Sequence, residues 1–195
     1  MGRIIVNEFI SLDGVSQAPG GPEEDASGGF AHGGWHMRYM GDERAREYVL
    51  GSIIEAGAFL LGRRTYEIFA AYWPNAPQEE QVIAEPLNTK PKHVVSTTLD
   101  DPLPWENASV LAGGVPDGIA DLKEHEGDVH VIGSTQLVQS LLEHGLVDEL
   151  RVMIDPVILG GGKRIFREDG QLRPLRLVDS DGAGTGAILA TYVPE

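Results

Sequence analysis

A chain of 195 residues with 42% hydrophobic and 23% charged content has the length and composition of one globular domain, not of a disordered or collagenous chain. Roughly 70% of the surface of such a chain is buried on folding, so no staple is required, and the absence of cysteine removes thiol nucleophiles, thiolate metal sites and disulfides together. Fifteen basic against thirty acidic residues give a net charge of −15, the wrong sign for a nucleic-acid partner.

No apolar run reaches transmembrane length, and the N-terminal stretch is shorter than a signal-peptide core. Val6 stands where a myristoylation signal needs Ser or Thr. The expectation is a single cytoplasmic domain over 1–195 with no membrane partner.

Arg3 to Ile10 reads as a strand, broken by Ser11-Leu12-Asp13-Gly14. Val15 to Gly34 holds two prolines, three acids and many glycines with little periodicity, which predicts a long ordered loop or lid. Asp42 to Ala56 reads as a helix, with Ala45, Tyr48, Val49, Ile53 and Ala56 on one face and Asp42-Glu43 at its start. Ala58-Phe59-Leu60-Leu61 is a continuous apolar run, the pattern of a strand buried on both faces. After Gly62, Arg63 to Ala71 begins another helix. Helical turns over Glu79 to Leu87 follow, then strands at His93 to Ser96 and Ser109 to Leu111, and a helix over Ile119 to Glu126.

Val129 to Ile132 is again strand-like and closes on Gly133-Ser134. Thr135 to His144 is amphipathic, with Leu137, Val138, Leu141 and Leu142 facing inward and Gly145 past its end. The tail is strand-only, at Glu149 to Ile154, Leu175 to Asp179 and Ala187 to Val193. This succession implies an α/β fold with a mixed sheet, parallel in its first part and covered by helices on both faces.

Ligands of such sheets lie beyond the carboxyl ends of the parallel strands. Three segments fall there: Gly62-Arg63-Arg64-Thr65, Ser96-Thr97-Thr98 and Gly133-Ser134-Thr135-Gln136. The first joins a helix start to two arginines, which suits an anion, although Arg63 and Arg64 also have acids such as Glu67 and Asp42 to pair with. The second offers small hydroxyls; the third is a glycine turn suited to a pyrophosphate. Gly160-Gly161-Gly162-Lys163 is not a phosphate loop, because Arg164 follows where Ser or Thr is needed. In the lid region, Phe30, His32, Trp35 and His36 form an aromatic and imidazole group. Trp35 either caps a flat substrate, with His36 as proton donor, or pins the loop. A metal held by His32 and His36 would lack a third ligand, so none is expected. Ile154 to Phe166 is apolar and glycine-bent, and predicts a homodimer surface.

These segments, in this order, resemble the dihydrofolate-reductase superfamily, in particular the reductase domain of riboflavin-biosynthesis deaminase/reductases. The resemblance rests on Ser11 to Gly14, Leu61 to Glu67, Val94 to Leu99, Val131 to Ser134, and Asp148 to Leu150 leading to Pro156 to Gly162. It implies a three-layer α/β/α fold with a mixed, mostly parallel sheet of about eight strands. It also implies NADPH-dependent hydride transfer to a pterin- or pyrimidine-like heterocycle, in its most specific form 5-amino-6-(5-phosphoribosylamino)uracil.

By that resemblance Gly62, Arg63, Arg64, Thr65, Ser96 and Thr97 hold the adenosine side of the cofactor. Gly133, Ser134, Thr135, Gln136 and Leu137 line its pyrophosphate and nicotinamide, with Asp13, Gly14 and Val15 closing over the ring. Ser134 replaces the second glycine usual at that turn. Folate reductases carry an acid in the first helix; the register here falls near Arg46-Glu47, with Asp42 one turn earlier. Asp42 and Glu47 therefore join His36 as catalytic candidates. The alternatives are a nucleotide-binding regulatory module that has lost turnover, dihydrofolate reductase activity proper, and a flavin-using oxidoreductase.

Overall fold

The computed structural model describes residues 1–195. Its strands are β1 (Ile4–Ser11), β2 (Ala58–Gly62), β3 (Lys92–Val95), β4 (Ala108–Val110), β5 (Val129–Ile132), β6 (Glu149–Asp155), β7 (Leu175–Gly182) and β8 (Ile188–Pro194). The helices are α1 (Glu43–Ile54), α2 (Arg63–Tyr72), α3 (Gln81–Thr89), α4 (Asp117–His125) and α5 (Thr135–Glu143). One eight-stranded sheet runs in the order β4-β3-β2-β5-β1-β6-β8-β7. Every pairing is parallel except those made by β8 with β6 and β7.

Strand alternation sends side chains to two helical layers. Ile4, Val6 and Ile10 of β1 pack with Leu60, Val131 and the inner faces of α4 and α5, where Ile119, Val138 and Leu141 are buried. Phe59, Leu61 and Val94 point the other way, against Ile53, Tyr66, Leu87 and Trp105. The apolar run of β2 therefore serves both faces, as its composition requires. Met153 and Leu189 lie under Tyr39 and Ala45, at the start of α1.

Two lysines tie helix ends to the sheet. Lys90 Nζ donates to the carbonyls of Ile53, Ile54 and Ala56, where α1 ends. Lys92 Nζ donates to Leu87, Asn88 and Lys90 at the end of α3 and stands 4.6 Å from the Trp105 ring. Both ammonium groups face the negative end of a helix dipole. Lys92 is fully buried, so Lys92→Met leaves three carbonyls without this donor. We expect this change to lower the unfolding free energy by about 2–4 kcal/mol in urea titrations. A loss below about 0.5 kcal/mol would show the cap to be idle.

Glu8 is the one acid on the α5-facing side of β1, and it is 3% exposed. The Ser134 amide donates to its Oε1 at 3.2 Å. Burial pushes this carboxyl from 4.5 up to about 8, and the amides of Ser134 and Gly133 only partly pull it back. Between those values the folded chain keeps the proton and the unfolded chain loses it, so rising pH costs stability through that window. Glu8→Gln should flatten the fall in unfolding free energy measured between pH 5 and pH 8. An unchanged slope in the variant would contradict this assignment.

Candidate cofactor cleft

A cleft of about 640 Å³ opens across the carboxyl ends of β2, β3 and β5. The helices α2 and α5 both start at its wall, with Gly62 and Ser134 as their N-caps and no side chain capping either. Their first amides carry the positive end of a helix dipole into the cleft, where an anion can take them.

A chain of hydrogen bonds fixes the two ends relative to each other. The Gly62 amide donates to Ser134 Oγ at 3.0 Å, Ser134 Oγ donates to Thr65 Oγ1 at 3.0 Å, and Thr65 Oγ1 donates to the Gly133 carbonyl at 2.9 Å. Gly133 has φ +62°, which suits glycine at this turn. Ser134 is only 4% exposed; its hydroxyl is spent on this joint and does not crowd the cleft.

The cleft gathers the expected residues from all three strand ends: Gly62, Arg63, Arg64 and Thr65; Ser96 and Thr97; Gly133, Ser134, Thr135, Gln136 and Leu137. Arg63 is held by both Glu67 carboxylate oxygens, at 2.8 and 3.0 Å. Arg64 is freer, 59% exposed, with Asp25 at 3.9 Å. Ser96 Oγ accepts the amides of Thr98 and Leu99 and shapes its own turn.

The segment after β1 departs from expectation. Asp13, Gly14 and Val15 do not line the cleft. Asp13 accepts from Ser11 Oγ and from the amides of Leu159 and Gly160, which hold its carboxyl at about 2 despite partial burial. Gly14 makes the turn at φ +78°, and Val15 bridges to Arg164. These three fasten the base of the lid to the 156–166 segment. Ser16, Gln17 and Ala18 reach the cleft in their place, and Ser16 Oγ lies 3.0 Å from Thr135 Oγ1 at the start of α5.

Trp35 and His36 are both buried and neither lines the cleft. Trp35 Nε1 donates to the Gln17 carbonyl at 2.8 Å, so the indole pins the lid. The His36 ring stacks on Phe9 with centroids 3.9 Å apart, and its Nδ1 lies 2.8 Å from Asp155 Oδ2 at the end of β6. Burial raises the Asp155 carboxyl, while His36 opposes that rise.

Asp42 is the N-cap of α1. Its Oδ1 accepts the amides of Arg44 and Ala45, its Oδ2 accepts Gly184, and these bonds, Gly184 first, lower its pKa. Glu47 is exposed on the same helix. Neither acid comes to the cleft, because capping consumes the first and the helix turns the second to solvent.

Sequence reasoning missed Glu24, Asp25, Ile68, Phe69, Val115 and Lys163, which also line the wall. Ile68 and Phe69 follow Arg64 by one helical turn and were readable from that spacing. A second cavity of about 520 Å³ lies beside the first, between Phe30, His32 and Gly160 to Gly162, and shares Gln17 and Lys163 with it. In the Ile154 to Phe166 segment, Ile165 is buried within the chain while Ile158 and Phe166 are exposed. No helix is long and apolar enough to cross a membrane.

The sequence profile of the RibD C-terminal domain matches residues 3–189. The uncharacterized protein YyaP of Bacillus subtilis is 29% identical over 139 residues, which is 68% of this chain and 71% of that one. Among solved structures, one from Shewanella sp. PV-4, put forward as a riboflavin biosynthesis protein, has a TM-score of 0.75 at 20% identity and covers 99% of both chains. Dihydrofolate reductase from Enterococcus faecalis, complexed with NADP(H), has a TM-score of 0.65 at 15% identity, covering 100% of this chain and 97% of that one. The chain has the dihydrofolate-reductase fold expected from its strand ends, and it belongs to the RibD C-terminal domain family.

Proposed function

We propose that this chain is a reductase that binds NADPH in the cleft between α2 and α5 and passes hydride to a pyrimidine- or pterin-like ring. The observation that carries this reading is the meeting of two uncapped helix starts and two arginines on one wall. Five charged side chains line the cleft: Arg63, Arg64 and Lys163 against Glu24 and Asp25. A net +1 there, in a chain of net −15, supports an anionic ligand in the cleft. Family membership and the riboflavin-related relative favour a pyrimidine acceptor, with 5-amino-6-(5-phosphoribosylamino)uracil as its most specific form.

The bound cofactor would supply the hydride. The chain supplies position and dryness. Amides of Arg63 to Thr65 and of Thr135 to Leu137 would hold phosphate oxygens, and Ser96 and Thr97 would face the ribose. The guanidinium pair at the start of α2 favours a 2′-phosphate over a bare hydroxyl. Trp35 and His36 act by keeping the lid seated, which excludes water from the hydride path.

NADPH should bind at least about tenfold more tightly than NADH, and Arg63→Ala combined with Arg64→Ala should erase the difference. Cofactor fluorescence titration reads both. Equal affinities in the parent protein would overturn the assignment. Absorbance loss at 340 nm with one member of a pyrimidine and pterin panel should then identify the acceptor. Binding without any oxidation would leave a nucleotide-binding module.

A homodimer remains our proposal, on a different surface. Seven of the eight residues of the edge strand β7 are exposed, whereas Ile165 of the segment first expected to pair is buried internally. Sedimentation at micromolar concentration should give twice the chain mass, and Val178→Lys on β7 should return it to the monomer mass. A parent protein that sediments as a monomer would end the idea.

A further inference from the structure

Asp25, Lys163 and Arg64 come from three separate parts of the chain and meet at the cleft wall. Asp25 belongs to the lid, Lys163 to the loop after β6, and Arg64 to the first turn of α2. Lys163 Nζ donates to Asp25 Oδ2, and Arg64 Nη1 lies 3.9 Å from Asp25 Oδ1. We infer that Lys163 and Arg64 form a seat for the phosphates of a nucleotide ligand, Lys163 on the diphosphate and Arg64 shared between the diphosphate and the 2′-phosphate proposed above, and that the Asp25 carboxylate occupies this seat while the lid is closed. The inference rests on the dinucleotide reading above and adds to it a cationic residue, Lys163, and a competitor for the site.

Three observations separate a ligand seat from an ordinary surface ion pair. The first is unspent binding capacity. Arg64 makes no hydrogen bond to Asp25 at 3.9 Å and is largely exposed, so its donors remain open for a phosphate, whereas Arg63 is already satisfied by Glu67. The second is preorganisation. The buried Gln17 amide donates to the carbonyls of Asp25 and Ser27, at 3.0 and 2.9 Å, while its Oε1 accepts the Lys163 amide at 3.0 Å. The backbones of the aspartate and the lysine are thus held together by a third residue, and Lys163 keeps its place when the carboxylate leaves. The third is location. The uncapped starts of α2 and α5 open on the same wall, so a diphosphate at this point would meet amides and cations together.

The charge balance supports exchange. Burial alone would push Asp25 up, yet Lys163 and the Ser27 amide hold it at about 2, so it is a full anion at neutral pH. A partly exposed ion pair of this kind contributes little stability, whereas a diphosphate brings more charge and more acceptor oxygens to the same two cations. Ligand binding therefore displaces the Asp25 carboxylate, while Gln17 keeps the backbone of the lid seated.

The test uses the full chain, with NADPH and inorganic pyrophosphate as separate probes and calorimetry as the readout. Asp25→Asn keeps the acceptor for the Ser27 amide but removes the competing charge, and should tighten both ligands about fivefold. Lys163→Met should weaken both about tenfold in the Asp25→Asn background and by less in the parent, where the lysine must first give up its aspartate. Glu23→Gln, which removes one charge from the exposed face of the same lid, should change neither. Asp25→Asn that fails to tighten pyrophosphate overturns the competition. A Lys163→Met penalty that vanishes once Asp25 is neutral overturns the seat, since the lysine then serves only the aspartate. Pyrophosphate that responds to both substitutions while NADPH binds none of the proteins would sustain the seat and sink the dinucleotide reading.

Discussion

The relay from the Gly62 amide through Ser134 Oγ and Thr65 Oγ1 to the Gly133 carbonyl joins the carboxyl ends of two neighbouring parallel strands. Each hydroxyl in it accepts one bond and donates one, so the members polarise one another in a buried setting. The proposed use of both helix starts by one anion depends on this joint. It brings the starts of α2 and α5 to one wall and fixes the direction of their unpaired amides. Glu8 supports it from below through the Ser134 amide, at the expense of burying a carboxyl whose pKa rises to about 8.

The lid is held by polar contacts at its rim, not by an apolar core of its own. Asp13 clamps its base, Ser16 meets α5, Gln17 gathers Asp25 and Lys163, and the Trp35 indole returns to Gln17. Such a segment can detach in steps without disturbing the sheet. His36 is the deeper anchor, stacked on Phe9 and bonded to Asp155. The buried His36 Nε2 and Asp155 Oδ1 have no partner, which makes this the costly end of the closed lid.

The sheet was legible because its signals are local. A four-residue apolar run bounded by Gly57 and Gly62 reads as a strand with two covered faces, and glycine turns mark where such strands stop. The cleft residues at those stops followed from the rule that parallel strands present ligands at their carboxyl ends. The lid was less legible, since Asp25 and Lys163 lie 138 positions apart and only the fold makes them neighbours. Lys92 was invisible for a related reason: its partners are carbonyls that exist as a cluster only once α3 has ended. Asp42 is different. An aspartate directly before an amphipathic helix has local capping chemistry, and that chemistry outweighed the register argument that suggested catalysis.

The central claim is that the two helix starts form one anion-binding wall for a nicotinamide dinucleotide. Backbone amide NMR during NADPH titration reads that wall directly. The account predicts that the largest shifts fall on Arg63, Arg64 and Thr65 together with Thr135, Gln136 and Leu137, at a common Kd, while amides at the far end of α1 stay still. Shifts confined to one helix start, or centred on the Phe30 and Gly160 to Gly162 cavity instead, would contradict it.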